Sequence, residues 1–167
     1  MQYFFNNPHT DPYMNMAVEE FLFLHYHQPV FHLWQNEPCV VIGKNQLLEA
    51  EIDPEYARQN KIKIVRRFSG GGAVYQDLGN LNLSFITSDG TYAFDAFNRK
   101  IMDFLQSLHL TPTTNERRAI FINELKISGS SQHIRGSKSI YHATLLFNGN
   151  LNHLEQVDLQ LTRSPRP

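Results

Sequence analysis

Residues 66–82 read Arg-Arg-Phe-Ser-Gly-Gly-Gly-Ala-Val-Tyr-Gln-Asp-Leu-Gly-Asn-Leu-Asn, with three consecutive glycines at 70–72. The glycines lie between two segments with strand character, where a flexible linker fits poorly. Glycine lets the backbone approach a ligand closely, and a run of N–H groups can bind an anion. The paired arginines just before them add planar donors that suit phosphate or carboxylate. We therefore expect an anionic ligand at this loop.

The loop does not carry either of the two common nucleotide-binding signatures. The sequence contains no G-x-x-x-x-G-K-[ST] motif and no G-x-G-x-x-G motif. For three glycines taken alone, a flexible surface loop is the alternative. A nucleotide site at these residues would have to be of another type.

A second segment, residues 125–132, places a lysine among small side chains. Lys126 lies between Leu125 and Ile127 and is followed by Ser-Gly-Ser-Ser. An exposed strand lysine is the plain alternative, but small neighbours leave room for a ligand. A lysine ammonium is a compact charge that can bridge two anionic groups. Acyl-adenylate formation needs such a charge, because a carboxylate must approach an α-phosphate.

The composition is that of a globular chain. Its 167 residues fit one domain, and 41% hydrophobic residues exclude a disordered chain. A formal net charge of -1 disfavours a general nucleic-acid binder. Because the first residues lack a basic signal region and an apolar span, a cytoplasmic protein without a membrane segment is expected. We expect a catalytic domain over 1–153 and an irregular C-terminal tail over 154–167.

Hydrophobic periodicity predicts a mixture of helices and strands. Helices are expected over 12–26, about 54–60 and 93–108, and strands over 2–6, 30–34, 39–43, 62–66, 73–76, 80–87, 119–122, 125–130 and 140–147. The apolar face predicted for the first helix comprises Met14, Ala17, Val18, Phe21 and Leu24 or Leu22. A hairpin-like break is expected at 36–38. Because strands often follow one another directly, the pattern predicts an α+β fold with a mixed, largely antiparallel sheet flanked by helices.

Cysteine and histidine offer weaker candidates. Cys39 is the only cysteine, so no internal disulfide and no CxxC zinc site can form. It lies in an apolar segment and is predicted to be a small core side chain. His142 is predicted to be a hydrogen-bonded strand residue, with ligand contact left open. No residue is predicted as a metal ligand.

Five segments of the sequence together resemble the lipoate-protein ligase A family, whose members share the biotin/lipoate protein ligase catalytic domain. The matching segments are, in order, residues 15–20, 34–43, 66–82, 126–132 and 142–146. The resemblance spans residues 10–152 and implies the fold of that catalytic domain. Family members continue beyond this region with a lysine-rich segment that residues 154–167 do not contain, which implies a C-terminally truncated domain.

The resemblance also implies a two-step reaction and a set of binding residues. Lipoate and MgATP give lipoyl-AMP, and the lipoyl group then passes to a lysine of an acceptor. The implied acceptors are lipoyl domains of 2-oxoacid dehydrogenase E2 subunits or the glycine cleavage H protein. Lys126 is the implied catalytic residue. The implied nucleotide-binding residues are Arg67, Gly72, Ala73, Val74, Tyr75 and Lys126. The implied lipoate-binding residues are Lys126, Gly71 and His142.

Departures from the family pattern keep two alternatives open. Arg117-Arg118-Ala119 stands where the family carries Arg-Asn-Asp, which puts in doubt a ligand for the implied Mg²⁺. One alternative is a cofactor-independent lipoyl or octanoyl transferase that acts through a cysteine. The position of Cys39 in a predicted core strand disfavours it. The other is a truncated, non-catalytic binder of lipoate or lipoyl-AMP.

Overall fold

The computed structural model of the chain describes residues 3–90 and 92–158. The helices are α1 Pro12–His25, α2 Leu48–Glu51, α3 Pro54–Gln59, α4 Phe94–Ser107 and α5 Leu151–Val157. The strands are β1 Tyr3–Asn6, β2 Val30–Trp34, β3 Cys39–Ile42, β4 Lys63–Arg66, β5 Val74–Gln76, β6 Asn80–Thr87, β7 Thr113–Thr114, β8 Ile120–Ile122, β9 Leu125–Ser128, β10 Ser130–Arg135 and β11 Lys138–Leu146. Gln2, expected to start the first strand, and residues 159–167 of the expected tail lie outside the described residues.

The strands form three sheets. The largest has the order β1-β2-β6-β11-β10, and two three-stranded sheets have the orders β4-β3-β5 and β7-β8-β9. Among the described strands only the β1–β2 and β3–β4 pairings are parallel. The prediction of an α+β fold with a mixed, largely antiparallel sheet is therefore confirmed. The expected hairpin-like break at 36–38 is wrong, because β2 and β3 belong to different sheets.

Side-chain caps start the helices where the sequence places acidic or amide residues. The Asp11 carboxylate accepts a hydrogen bond from the backbone N–H of Met14 at 2.9 Å, and Pro12 follows it in the first turn. Asp53 caps α3 in the same way, and Asn150 caps α5. Helix α5 was not expected. It carries the chain to Val157, which is fully buried, so the predicted irregular tail is wrong over 154–157.

Helix α1 lies between two sheets and carries polar residues on its buried face. It packs against β2, β6 and β11 of the five-stranded sheet and against β4 of the next sheet. Its buried residues include Asn15 and Glu19, whereas Met14 and Phe21 of the predicted apolar face are each 55% exposed. The helix is where the sequence predicts it, and Leu22 of the predicted face is buried in the core, with Val18 and Leu24 packed against it. The predicted face is wrong at Met14 and Phe21. The physical reason is a set of buried polar contacts described below.

The opposite face of the five-stranded sheet is covered by α4. The core there is apolar and includes Phe85 and Tyr141 from the sheet and Phe94 and Ile101 from the helix. In the described part of the chain, no helix is long and apolar enough to cross a membrane. With one face of the sheet filled by this core, a ligand cleft has to form on the face toward α1 and the glycine loop.

Candidate active site

A cleft of about 540 Å³, called the main cleft below, opens where the glycine loop faces the five-stranded sheet. The predicted site residues that line it are Arg67, Gly71, Gly72, Ala73, Val74, Lys126 and His142. The structure thus brings together two segments that lie more than 50 residues apart in the chain. Tyr75 alone among the predicted site residues does not line this cleft.

Arg67 holds the glycine loop in shape from within. The buried guanidinium makes four hydrogen bonds to three backbone carbonyl oxygens, those of Val41, Gly70 and Gly72, at 2.8–3.1 Å. Because these donors are already used by the loop, the structure gives Arg67 an organising role. Its contact with a nucleotide stays a prediction. Arg66 acts similarly, donating to the carbonyl oxygens of residues 43, 44 and 46.

Two glycines bring the loop and strand β3 into close contact. A Cβ atom on Gly43 would lie 2.1 Å from the carbonyl oxygen of Gly71, a distance that no real Cβ contact shows. Gly71 itself has a φ of +98°, in the region that favours glycine. Added Cβ atoms on Gly70 and Gly72 would meet nothing within 4 Å. The fold therefore requires Gly43 and Gly71, while the open space beside Gly72 is available to a ligand.

Lys126 lies at one end of the main cleft. No described residue forms an ion pair or a hydrogen bond with its ammonium group. Its Nζ atom lies over Gly129, 3.7 Å from where a Cβ atom would be, so the absence of a side chain there makes room for it. Lys126 also lines a second cleft of about 280 Å³ together with Ala73, Val74 and Tyr75. The lysine therefore faces two adjoining spaces at once, and Tyr75 reaches the second one.

The main cleft runs across the five-stranded sheet. The register aligns Trp34 of β2 with Asn82 of β6, and Asn82 with Thr144 of β11. The Thr144 N–H in turn donates to the carbonyl oxygen of Gly129 at 2.9 Å. Three strand spacings separate Trp34 from Gly129, about 14 Å. The cleft can thus hold an elongated ligand with its acidic end at Lys126 and its apolar part toward Trp34.

A buried polar chain lies beneath the cleft. The His142 Nε2 and Ser69 Oγ atoms are 2.7 Å apart, and His142 Nδ1 lies 3.1 Å from a Glu19 carboxylate oxygen. Ser84 donates to the same carboxylate and accepts from the Trp34 indole N–H. Burial raises the pKa of Glu19, but His142 and the Ser84 hydroxyl together outweigh it and leave this pKa lowered. Glu19 thus stays ionised inside the fold.

The order serine, histidine, carboxylate resembles a hydrolase triad, but its location does not fit one. Ser69 is fully buried and does not line the main cleft. A nucleophile has to reach the substrate, so this chain of contacts is a positioning network. It joins α1 to β11 and to the first residue of the glycine loop. Glu19, Ser69 and Ser84 were not predicted as site residues; the sequence signal for Glu19 was its spacing of four residues from the other buried polar residue of α1, Asn15.

Buried His32 gives the fold an acid sensitivity. Both ring nitrogens lack a hydrogen-bond partner among the described residues, and burial lowers the pKa of His32 from 6.5 to about 4 although the Glu19 charge acts to raise it. In the unfolded chain the ring takes up a proton at higher pH than in the folded chain. Stability is therefore lost as the pH falls from 6.5 toward 4, by up to about 3 kcal/mol.

His32→Phe tests this effect, since the ring is stacked on Trp34 and an apolar ring can occupy the same place. We expect the loss of unfolding free energy between pH 7 and pH 4, measured by urea titration, to be smaller in the variant by about 2–3 kcal/mol. Equal losses in the two proteins would contradict the assignment. Acid-sensitive groups that do not interact with His32 are present in both proteins, and their contributions cancel in the difference.

The chain is similar in sequence to a known family of catalytic domains. The model of the lipoyl protein ligase A/B catalytic domain matches residues 11–162, which is most of the chain. The chain belongs to this family. Lipoate-protein ligase LplJ of Bacillus subtilis is 39% identical over 150 residues, covering 87% of this chain and 45% of that protein. The chain thus spans about half the length of the curated relatives it matches.

Solved structures in the ligase family share the fold described above. The crystal structure of P. falciparum LipL1 in complex with lipoate has a TM-score of 0.88 at 26% identity, covering 94% of this chain and 51% of that one. A lipoate-protein ligase A bound with ATP has a TM-score of 0.84 at 27% identity, covering 94% of this chain and 70% of that one. The expected biotin/lipoate ligase type of catalytic domain is therefore confirmed.

The ligase-family cleft in this chain does not offer a protein-held magnesium site. Among the described residues, no carboxylate lines the main cleft, and no group of three or more His, Cys, Asp or Glu side chains could hold a metal. Mg²⁺ prefers carboxylate and phosphate oxygens. Ala119, at the position where the resemblance implies an Asp, lines this cleft. In the second cleft, Asp158 is the one carboxylate among the described lining residues. One carboxylate does not make a donor set for a resident Mg²⁺ ion.

The cysteine of this ligase-family domain is in the core. Cys39 is fully buried, packs with Val41 and Val65, and burial raises the pKa of its thiol to about 12. The thiolate needed for a covalent acyl-enzyme is therefore absent near neutral pH. This geometry opposes the cysteine-dependent transferase that the sequence left open.

Cys39→Ala is expected to lose about 1 kcal/mol of unfolding free energy from the vacated space. If the domain transfers an acyl group to an acceptor, the variant should keep most of the wild-type rate of that transfer. Transfer to an acceptor lysine is followed by the mass of the acceptor, and stability by urea titration. Complete loss of transfer in a variant that remains folded would instead support a transferase that acts through the Cys39 thiol.

Proposed function

We propose that this domain activates lipoate with MgATP and passes the lipoyl group to a lysine of a lipoyl-domain protein. The observation that carries the proposal is the position of the Lys126 ammonium at the junction of the main cleft and the second cleft. A carboxylate in the first and an α-phosphate in the second would meet at this charge. The relatives named as lipoate-protein ligases, and the neighbours solved with lipoate and with ATP, support the assignment.

In the first step a carboxylate oxygen of lipoate attacks the α-phosphorus of ATP. The bond between the α-phosphorus and the bridging oxygen breaks, and pyrophosphate leaves with that electron pair. Lys126 reduces the repulsion between the two anions and stabilises the charge that develops on the α-phosphate. The glycine loop, held by Arg67, supplies a fixed wall that keeps the reactants aligned.

In the second step the uncharged amine of an acceptor lysine attacks the acyl carbon of lipoyl-AMP. An amide bond forms, AMP leaves as the phosphate monoester, and the amine releases a proton to solvent. No bond between the acyl group and the protein is needed, which agrees with the buried thiol of Cys39. The acceptors we propose are E2 lipoyl domains or the glycine cleavage H protein, and the lone unpaired cysteine suits a cytoplasmic location.

The test is the release of pyrophosphate by the full chain with MgATP, with and without lipoate. We expect release that depends on lipoate, and lipoylation of an apo lipoyl domain when one is added. A chain that binds lipoate but releases no pyrophosphate with both substrates would instead be the non-catalytic binder. Release of inorganic phosphate and ADP in place of pyrophosphate would contradict the adenylate route.

A further inference from the structure

A pocket of about 290 Å³, called the back pocket below, lies beside the segment that carries the glycine loop. Its walls come from α1, from Lys44 after strand β3, from Phe68 and from the end of β10. Among the described residues, none that lines the back pocket also lines the main cleft or the second cleft. It is therefore a separate space, and the roles proposed above do not use it.

The floor of the back pocket is aromatic. The rings of Phe23 and Phe68 are stacked with their centroids 5.3 Å apart, and the His133 ring stands edge-on to both, at 5.5 and 5.4 Å. Burial, and then the nearby charge of Lys44, lowers the pKa of His133, so its ring is uncharged at neutral pH. Three uncharged rings in contact offer an apolar surface on which another ring can pack.

The rim of the back pocket is positively charged. Lys44 and Arg135 line it, both are exposed, and no described residue forms an ion pair with either side chain. Lys138 adds a third charge nearby, because its Nζ atom donates to the carbonyl oxygen of Leu24, which lines the pocket. Glu20 is the one carboxylate in the described lining. The local potential is therefore positive although the whole chain has a formal net charge of -1.

The walls of the back pocket are joined to the glycine loop. The Lys44 backbone N–H donates to the Ser69 carbonyl oxygen at 2.8 Å, and the Ser69 hydroxyl contacts His142. Phe68, from the floor, immediately precedes Ser69. A molecule that touches Lys44 and Phe68 thus contacts this segment from outside the main cleft.

We propose that the back pocket binds a small carboxylate that carries an apolar ring on a short arm. The ring packs on Phe23, Phe68 and His133, and the carboxylate accepts hydrogen bonds from Lys44 and Arg135. The volume lies just below the range of about 300–1,000 Å³ for drug-sized ligands, which suits a single ring. The one lining carboxylate disfavours a ligand with two acidic groups. Binding at this pocket does not depend on the reaction proposed above.

The test is a titration of the chain with 3-phenylpropionate as the probe, followed by the backbone amide signals in NMR spectra. We expect saturable shifts at Lys44, Phe68 and His133. Two matched probes separate the contributions: propionate lacks the ring, and 3-phenylpropanol lacks the charge. Each should bind about tenfold more weakly than 3-phenylpropionate, a loss of about 1.4 kcal/mol.

Substitution of the two cations tests the rim. Lys44→Gln and Arg135→Gln should each weaken binding of 3-phenylpropionate by about threefold, the effect of one solvent-exposed ion pair, and the double variant by about tenfold. Lys44→Arg keeps the charge and should retain the affinity. The control is the double variant Arg99→Gln with Lys100→Gln, which removes two exposed cations of α4 that do not line the back pocket, and it should bind like the wild type.

Three results would each overturn the back-pocket proposal: no saturable shift, equal affinity for 3-phenylpropanol, or unchanged affinity in the double variant of Lys44 and Arg135. Shifts confined to Lys126 and Gly129 that disappear in Lys126→Ala would place the probe in the main cleft and overturn it as well. The same amide spectra verify that each variant is folded. A chain that shows the expected shifts but releases no pyrophosphate would retain the back pocket while the proposed function fails.

Discussion

Lys126→Ala is expected to lower the rate of lipoate-dependent pyrophosphate release by about 10²–10³-fold, the cost of removing one preorganised charge donor from a reaction centre. The side chain lies between the two clefts and over Gly129, and no described residue pairs with its ammonium. Its charge is therefore available to the substrates that we propose for the two clefts. Because the side chain is exposed and makes no such contact, its removal should leave the urea midpoint unchanged. Pyrophosphate release by a coupled assay measures the first effect.

The matched control is Lys100→Ala, which removes an exposed lysine from α4 that lines neither cleft. It should release pyrophosphate at the wild-type rate. Lys126→Arg keeps a positive charge but replaces a compact ammonium by a broad planar group, so we expect only partial recovery. Equal rates in the wild type and Lys126→Ala would remove this residue from the mechanism.

Gly43→Ala should have the second large effect, on both activity and stability. The new methyl group would lie 2.1 Å from the Gly71 carbonyl oxygen, and this atom belongs to the backbone. The strand or the loop has to move, which for an overpacked site costs about 1–3 kcal/mol of unfolding free energy. The movement displaces the glycine loop, which lines the main cleft together with Lys126. The rate of pyrophosphate release should therefore fall by about 10²-fold, the cost of misplacing reacting groups by about 1 Å.

Gly70→Ala is the control for this substitution, because a Cβ atom there meets nothing within 4 Å and the residue does not have a positive φ. We expect wild-type stability from it, because the added methyl group has room. A Gly43→Ala protein with wild-type kinetics would show that the loop does not need its observed position. Loss of stability with normal activity would separate the packing of the loop from its function.

The sequence was sufficient to predict the two segments that meet at the site. Both are local patterns: three glycines beside paired arginines, and a lysine before a run of small residues. Each is recognisable in the sequence because binding an anion depends on residues that are close together in the chain. The helices with an Asp-Pro start were equally predictable, because the cap and the proline act within one turn. The meeting of the two segments in one cleft followed from the family resemblance and was not visible in either pattern.

Helix α1 shows why sequence patterns did not predict the other residues of the site. An apolar stripe through Met14 and Phe21 predicts the wrong buried face, because the true one holds Asn15 and Glu19. Their burial is offset by partners on distant strands, such as His142 and the Asn36 side chain, which accepts from Asn15 at 2.8 Å. Sequence periodicity counts apolar residues only, so it fails at a helix whose buried face serves a polar site.

The arginines of the glycine loop give a second example. As residue types they suit an anionic ligand, yet Arg66 and Arg67 donate to backbone carbonyl oxygens of the loop and its neighbouring turn. An exposed guanidinium at the cleft belongs to Arg117, from a turn about 50 residues further along the chain. An arginine side chain binds backbone carbonyl groups where they lie within hydrogen-bonding distance, and otherwise remains free to bind a ligand. Only the tertiary structure shows which carbonyl groups are that close.

The most direct measurement of the central claim follows the α-phosphate itself. The full chain is incubated with lipoate and ATP labelled at the α-phosphate, without an acceptor, and the products are separated. We predict one labelled product that is lipoyl-AMP, formed with an equal amount of pyrophosphate and converted to labelled AMP when an apo lipoyl domain is added. Label found only in ATP, or in ADP, after incubation with both substrates would contradict adenylate formation in this cleft.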